Sequence, residues 1–281
     1  MEKHLFLKNE SRENLYGCVF LPELASVDQP GIVICQPIAE EKTRVKRVMV
    51  NAARYLCSKG YPVILFDYLG DGDSGGRFED ATLKSRVSDA LCAVSVLKSE
   101  ANCGVCGFLG LRLGATIASL AALQYKQSAF LILWEPVIRG SDFISDWLKT
   151  HLSSQLVQYK KIVYNRNRLE EMLSTGQSLE VEGYIMSSIF YKQLKELNLL
   201  NIGFDISSPA LIVEIASNKL GIKEEIYQFF TKYKANSDLS HYLLVNKNFD
   251  WANMKFYNPL PDNLFKLTFE WIRSLSVGKN N

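Results

Sequence analysis

Histidine is nearly absent from this sequence: 281 residues hold only His4, His151 and His241. Chemistry that relies on an imidazole base therefore has three places to find one. Cysteine is absent beyond position 106. Cys18, Cys35, Cys57, Cys92, Cys103 and Cys106 all lie before it, mostly in apolar runs. That distribution excludes a small disulfide scaffold and fits buried thiols in a reducing compartment. No apolar run approaches the length of a membrane span. The opening Met1-Glu2-Lys3-His4 leads into a strand pattern with no signal-peptide core, so the expected location is the cytoplasm. Repeats and low-complexity segments are missing. So is an excess of one charge: 32 Lys+Arg against 30 Asp+Glu leave +2, without the basic face that nucleic acid demands.

What is present is ample for a core. Hydrophobic residues make up 47% and charged residues 22%, as in an ordinary globular chain. Short apolar strands alternate with helical patterns, the rhythm of a mostly parallel α/β sheet. Strands are expected at 5–8, 16–21, 31–35, 61–66, 104–109, 129–133, 210–213 and 242–245. Helices are expected at 41–58, along the Leu83, Val87, Leu91, Val94 and Leu97 stripe, from Gly114 to about Tyr125, at 224–233 and at 262–274. Between 140 and 205 the sheet rhythm stops and helical spacing takes over. The expected organisation is a core of 1–139 and 206–281 with a helical cap over 140–205.

The most informative stretch is Gly110-Leu111-Arg112-Leu113-Gly114, where an apolar strand turns into an Ala-rich helix. An α/β-hydrolase presents its nucleophile on such a turn, in a G-x-S-x-G setting. Here the nucleophile position holds Arg112, and a guanidinium keeps its proton and cannot attack a carbonyl. The triad acid should follow the 210–213 strand, where Asn218 is the nearest match. The base should follow the last strand, yet 245–251 contains no histidine. A Ser-His-Asp mechanism is therefore expected to be missing.

Four segments carry a resemblance: Gln36-Pro-Ile-Ala-Glu-Glu-Lys-Thr-Arg44, Asp67-Tyr-Leu-Gly-Asp-Gly-Asp-Ser-Gly75, Gly110-Leu-Arg-Leu-Gly-Ala115 and Trp134-Glu-Pro-Val-Ile-Arg-Gly140. They resemble the second hydrolase-like family associated with bacterial exosortase systems, which belongs to the α/β-hydrolase superfamily and is encoded with exopolysaccharide genes. The resemblance covers most of the chain up to Gly140 and, more weakly, Phe249-Asp-Trp251. It implies an α/β-hydrolase fold with about eight strands and a family pattern that itself carries Arg at the elbow.

Arg112 opens a helix, where free N–H groups and the dipole favour an anion, and it adds a bidentate partner for one. Alternatively it is paired internally. Glu40 or Glu41, on the loop that flanks the elbow, is the expected partner, with Glu135 and Asp250 as further candidates. Ala39, Leu111 and Trp134 are expected beside the ligand, and Phe143, Trp147, Tyr159 and Tyr164 are candidates for an apolar groove or for packing. Asp67, Asp71, Asp73 and Ser74 suit a tight structural turn better than a metal loop, since the Glu that completes a calcium loop is absent. Cys103-Gly-Val-Cys106 is expected at the start of a strand, with its thiols on opposite faces and no second pair for zinc. No metal or cofactor is called for.

Three functions remain open. One is a degenerate hydrolase that binds an anionic or carrier-linked small molecule, or a protein partner, through Arg112. Another is a hydrolase of esters or thioesters in which Glu40 or Glu41 activates water and Arg112 steadies the oxyanion. The last is an interaction protein whose pocket is closed by an Arg–Glu pair. Serine-directed phosphonates should leave the protein unlabelled. Stoichiometric mass addition at Ser74, or at any other serine, would contradict the missing triad.

Overall fold

The computed structural model describes residues 1–23, 29–203, 207–216, 222–235, 237–246 and 260–277. In chain order these contain β1 (Glu2–Lys8), β2 (Asn14–Phe20), β3 (Gly31–Cys35), α1 (Ala39–Ser58), β4 (Val63–Phe66), α2 (Leu83–Ala101), β5 (Cys106–Leu111), α3 (Leu113–Tyr125) and β6 (Leu131–Trp134). Then come α4 (Gly140–Tyr159), α5 (Arg166–Ser174), β7 (Leu179–Val181), β8 (Tyr184–Met186), α6 (Ser188–Glu196), β9 (Ala210–Ala216), α7 (Glu224–Lys234), β10 (His241–Asn246) and α8 (Asp262–Val277).

Eight strands form one sheet in the order β1-β2-β4-β3-β5-β6-β9-β10. The β1–β2 hairpin is antiparallel and so is the β2–β4 pair; every pair from β4 to β10 is parallel. This is the mostly parallel sheet expected from the strand rhythm, in the α/β-hydrolase arrangement that the family resemblance implies. β3, β4, β5 and β6 are buried at every residue, as strands covered on both faces must be. One face carries α1 and α8, against Ile32, Ile34, Leu109, Leu111 and Trp134. The other carries α2, α3 and α7, against Val33, Cys35, Phe108 and Leu133. Helix α3 is apolar almost all round, because it is wedged between the sheet and α2. Helix α2 starts on a capping box: Thr82 Oγ1 accepts from Ser85 N at 3.1 Å, and Ser85 Oγ accepts from Thr82 N at 2.8 Å. Among the described residues no helix is long and apolar enough to cross a membrane.

Two expectations need correction. Helix α1 begins at Ala39, so Glu40 and Glu41 sit in its first turn, where carboxylates complement the exposed N–H groups; Glu40 is not on the preceding loop. The segment after β6 is not purely helical either. β7 and β8 form an antiparallel pair joined by Glu182-Gly183, with φ of 52° and 81°. Two positive-φ residues are what a tight hairpin turn requires, and strands of three residues are too short to register as a period. The expected boundary near Asp205 lies outside the described residues.

Two glycines set the spacing of the central layer. A Cβ on Gly110 would run into the backbone of Gly114 and Ala115, and one on Gly114 into the carbonyls of Cys35 and Gln36. Gly104, by contrast, faces open space. Gly110→Ala and Gly114→Ala should each lower stability by roughly 2–3 kcal/mol through overpacking, while Gly104→Ala should be near neutral. Chemical denaturation of the three variants checks this; equal stability at all three would refute the close approach.

Candidate functional site

Three neighbouring strands end on strained backbone. Ala39 after β3, Arg112 after β5 and Glu135 after β6 have φ of 53°, 55° and 47°, a region that L-residues other than Gly, Asn and Asp seldom occupy. Strain gathered at one edge of a sheet is a mark of a functional site. It is held in place by the backbone: Arg112 N donates to Trp134 O at 2.9 Å, Glu135 N to Val213 O at 2.7 Å, and Ala115 N to Arg112 O at 3.0 Å. Arg112 is the single residue between β5 and α3, with ψ of −124°. The turn predicted from the glycine spacing therefore stands at the carboxyl edge of the sheet.

The Arg112 side chain meets two carboxylates. Its Nε donates to Glu41 Oε1 at 3.1 Å, and its Nη1 lies 3.9 Å from Glu135 Oε1. Burial disfavours the charged guanidinium, but Glu41 and then Glu135 outweigh it and hold the pKa above the ordinary value. Lys223 Nζ donates to the same Glu135 oxygen at 2.8 Å, and Lys223 N donates to both carboxylate oxygens of Glu214 at 3.0 and 3.1 Å. Glu214 also accepts from Tyr242 Oη. Signs thus alternate along Glu41, Arg112, Glu135 and Lys223, while Glu214 meets Lys223 through its backbone amide. Glu40 takes no part, because its carboxylate pairs with Arg44 one turn along α1. Glu41 Oε2 is buried and has no hydrogen-bond partner among the described residues.

Beside Glu41 and Arg112 lies a cleft of about 350 Å³. Its floor is Ile38, Ala39, Glu40, Glu41, Arg44 and Arg112; its roof is Phe143, Asp146, Trp147, Lys149 and Thr150 of α4 with Glu182 of the β7–β8 turn. Leu111 and Trp134, expected beside the ligand, are fully buried in the layer between the sheet and α1/α8 and do not line the cleft. Trp134 stacks on Phe265 at 6.0 Å, and its indole N–H donates to Thr268 Oγ1 at 3.2 Å. The reason is the period of two along a strand: each is the last residue of its strand and falls on the α1/α8 side. Phe143 and Trp147 line the cleft while packing on each other at 5.7 Å. Tyr164 is 46% exposed, and Asp250, Asn218 and the Tyr159 side chain lie outside the described residues. Lys223, Asp146, Lys149 and Glu182 went unnoticed in the sequence because nothing in their segments matched a motif.

The acidic loop is occupied by the protein itself. Lys42 Nζ lies 2.7 Å from Asp67 Oδ1, Gln36 Nε2 donates to the same oxygen at 3.1 Å, and Arg86 pairs with Asp71 at 3.0 Å. Ser74 Oγ donates to Asp67 O at 2.7 Å and accepts from Tyr16 N at 2.9 Å. Burial pushes the Cys35 thiol up to about 12, which leaves it protonated and unreactive at neutral pH. The thiols of Cys103 and Cys106 do not point to opposite faces: they face each other at 4.0 Å. β5 starts only at Cys106, so Cys103 belongs to the turn before it, where strand alternation does not apply. A hydrogen bond from Cys106 brings Cys103 down to about 7 and drives Cys106 up.

Residues 32–188 match the family model described as serine aminopeptidase, S33. The chain belongs to this family of α/β-hydrolases. No curated protein matches it. Among solved structures, it is similar to Est1E from Butyrivibrio proteoclasticus with ferulic acid bound, at a TM-score of 0.68 and 15% identity over 97% of this chain and 99% of that one. It is also similar to the Pyrococcus furiosus esterase Pf2001, at 0.65 and 16% over 98% and 91%, and to the α/β-hydrolase GrgF from Penicillium sp. sh18, at 0.64 and 15% over 98% of each. At these identities the likeness speaks for the fold.

In this S33-family chain the Arg112–Glu41 pair is measurable by itself. The two side chains are 20% and 24% exposed, so solvent screens part of their attraction. A double-mutant cycle of Glu41→Gln and Arg112→Met should give a coupling of roughly 1 kcal/mol, the low end for residues in contact. Additive losses in the two single variants would show that the pair contributes nothing.

Proposed function

We propose that this α/β-hydrolase-family protein has lost its Ser-His-Asp triad and uses the cleft to bind an anionic or carrier-linked small molecule, with Arg112 as the anchor. The observation that carries this reading is the open space beside Arg112. Arg112 lines a cleft of about 350 Å³ together with Ile38, Phe143 and Trp147. A guanidinium beside apolar walls suits an acyl chain ending in a carboxylate or phosphate. The triad loss rests on the sequence: Arg112 at the elbow, Asn218 at the acid position and no histidine over 245–251. In this reading the segment after β6 serves as the cap, a role supported by the residues of α4 and the β7–β8 turn that line the cleft. The free thiols support a cytoplasmic setting. The exosortase-associated resemblance favours a role in bacterial exopolysaccharide metabolism, where a protein partner would be natural.

A second reading is favoured by one atom. Glu41 Oε2 is buried without a partner among the described residues, and a carboxylate oxygen so placed is suited to activating a water, with Arg112 beside it to steady an oxyanion. One variant separates the two. In the binding protein, Glu41 competes with the ligand for Arg112, so Glu41→Gln should tighten binding of a medium-chain carboxylate on the order of tenfold, and Arg112→Met should abolish it. In the hydrolase, Glu41→Gln should cut ester or thioester turnover by about a hundredfold or more. Calorimetric titration of the carboxylate and a thioester assay give both numbers. No heat of binding and no turnover in the wild type would defeat both.

A further inference from the structure

The cap segment carries a second feature, at the far end of α4 from the cleft. Leu156, Val157, Ile162, Val163 and Tyr164 are 52, 72, 54, 47 and 46% exposed. Between Asp146 and Glu170 the sequence has no acidic residue, yet it holds Lys149, Lys160, Lys161, Arg166 and Arg168. Glu170 and Glu171 engage Arg166 and Arg168, and Asp146 engages Lys149. Lys160 and Lys161 have no ion-pair partner among the described residues.

The apolar side chains are held together by a buried polar one. Lys160 ends α4 with a positive φ of 59°, which turns the chain back on itself. Gln155, only 5% exposed, then accepts at Oε1 from Val163 N at 2.9 Å and from Tyr164 N at 3.4 Å. The turn is thereby pinned against the helix. Its amides at 163 and 164 bond to Gln155, while the side chains of Ile162, Val163 and Tyr164 stay exposed, as do those of Leu156 and Val157. Exposed aliphatic side chains and a tyrosine, with two unpaired lysines in the same turn, are what the headgroup boundary of an anionic bilayer accepts. Lysine stems lie along apolar surface while their charges stay in water, and a tyrosine keeps its hydroxyl wet. Lys160 and Lys161, with no carboxylate between Asp146 and Glu170, give the patch the charge that complements an anionic surface.

We propose that residues 156–164 dock the protein reversibly onto an anionic lipid surface. The inference rests on this patch alone and stands whatever the cleft binds. The segment lies on the bilayer rather than across it, in keeping with the absence of a membrane-spanning helix among the described residues.

Flotation with vesicles of equal parts phosphatidylcholine and phosphatidylglycerol tests it, with pure phosphatidylcholine as the comparison. The wild-type protein should float with the anionic vesicles, release them at high salt, and leave the neutral ones alone. Lys160→Gln with Lys161→Gln should weaken the partition roughly 25-fold. Val157→Ser with Ile162→Ser should also remove it. All four positions are exposed, so unchanged melting curves establish that the variants are folded. Vesicles should slow amide exchange over 156–164 and leave α3 unaffected. Failure to float with anionic vesicles overturns the proposal, and so does partition that none of these variants reduces. Self-association through the patch, or capture of an acidic protein without vesicle binding, would assign the surface to a protein partner and overturn it equally.

Discussion

Helix α3 reaches the sheet only because positions 110 and 114 lack a Cβ. That approach leaves one residue to reverse the chain between β5 and α3, and the residue is Arg112, with its backbone forced to positive φ. Its side chain must then leave at the carboxyl edge, beside the first turn of α1 and the end of β6. Glu41 and Glu135 stand there, and a charge that is four-fifths withdrawn from water requires such partners. Lys223 in turn answers Glu135, and Glu214 answers the start of α7. The whole alternating series follows from where two missing methyl groups let a helix sit.

The segment after β6 joins this edge from both sides. On one side α4 covers the cleft. On the other, α6 is tied to the core through Arg86, which has no exposed surface and pairs with Asp71. The guanidinium carbon of Arg86 lies 4.8 Å from the ring of Phe78 and 5.5 Å from that of Phe190 on α6. Its Nε and Nη2 have no hydrogen-bond partner among the described residues, so those ring faces supply much of what a buried cation needs. Gly140 completes the join, because a Cβ there would meet the backbone of Leu194 and force α4 away from α6.

The sheet was legible because each of its central strands is a short, wholly apolar run, and the elbow because glycine spacing encodes a steric demand. The partner of Arg112 was legible to within one residue. A loop and a first turn differ there by a single position, and helix α1 decided it by starting at Ala39, which leaves Glu40 to Arg44 and Glu41 to Arg112. The errors at Leu111, Trp134 and Cys103 share one cause. Side-chain direction alternates along a strand, so the face a residue occupies depends on knowing the strand's end to the residue. Sequence periodicity does not fix ends that finely. The β7–β8 hairpin and the lining it contributes through Glu182 escaped because three-residue strands have no period to detect.

Ala39, Arg112 and Glu135 each hold a conformation that glycine would adopt at no steric cost. A protein under pressure only to be stable would shed that strain first. Laboratory evolution for heat resistance, with no demand on the cleft, should accumulate glycine or asparagine at 39, 112 and 135 while leaving Gly110 and Gly114 untouched. Where a natural lineage retains a branched or charged side chain at those positions, the retention itself measures how strongly the cleft is being used.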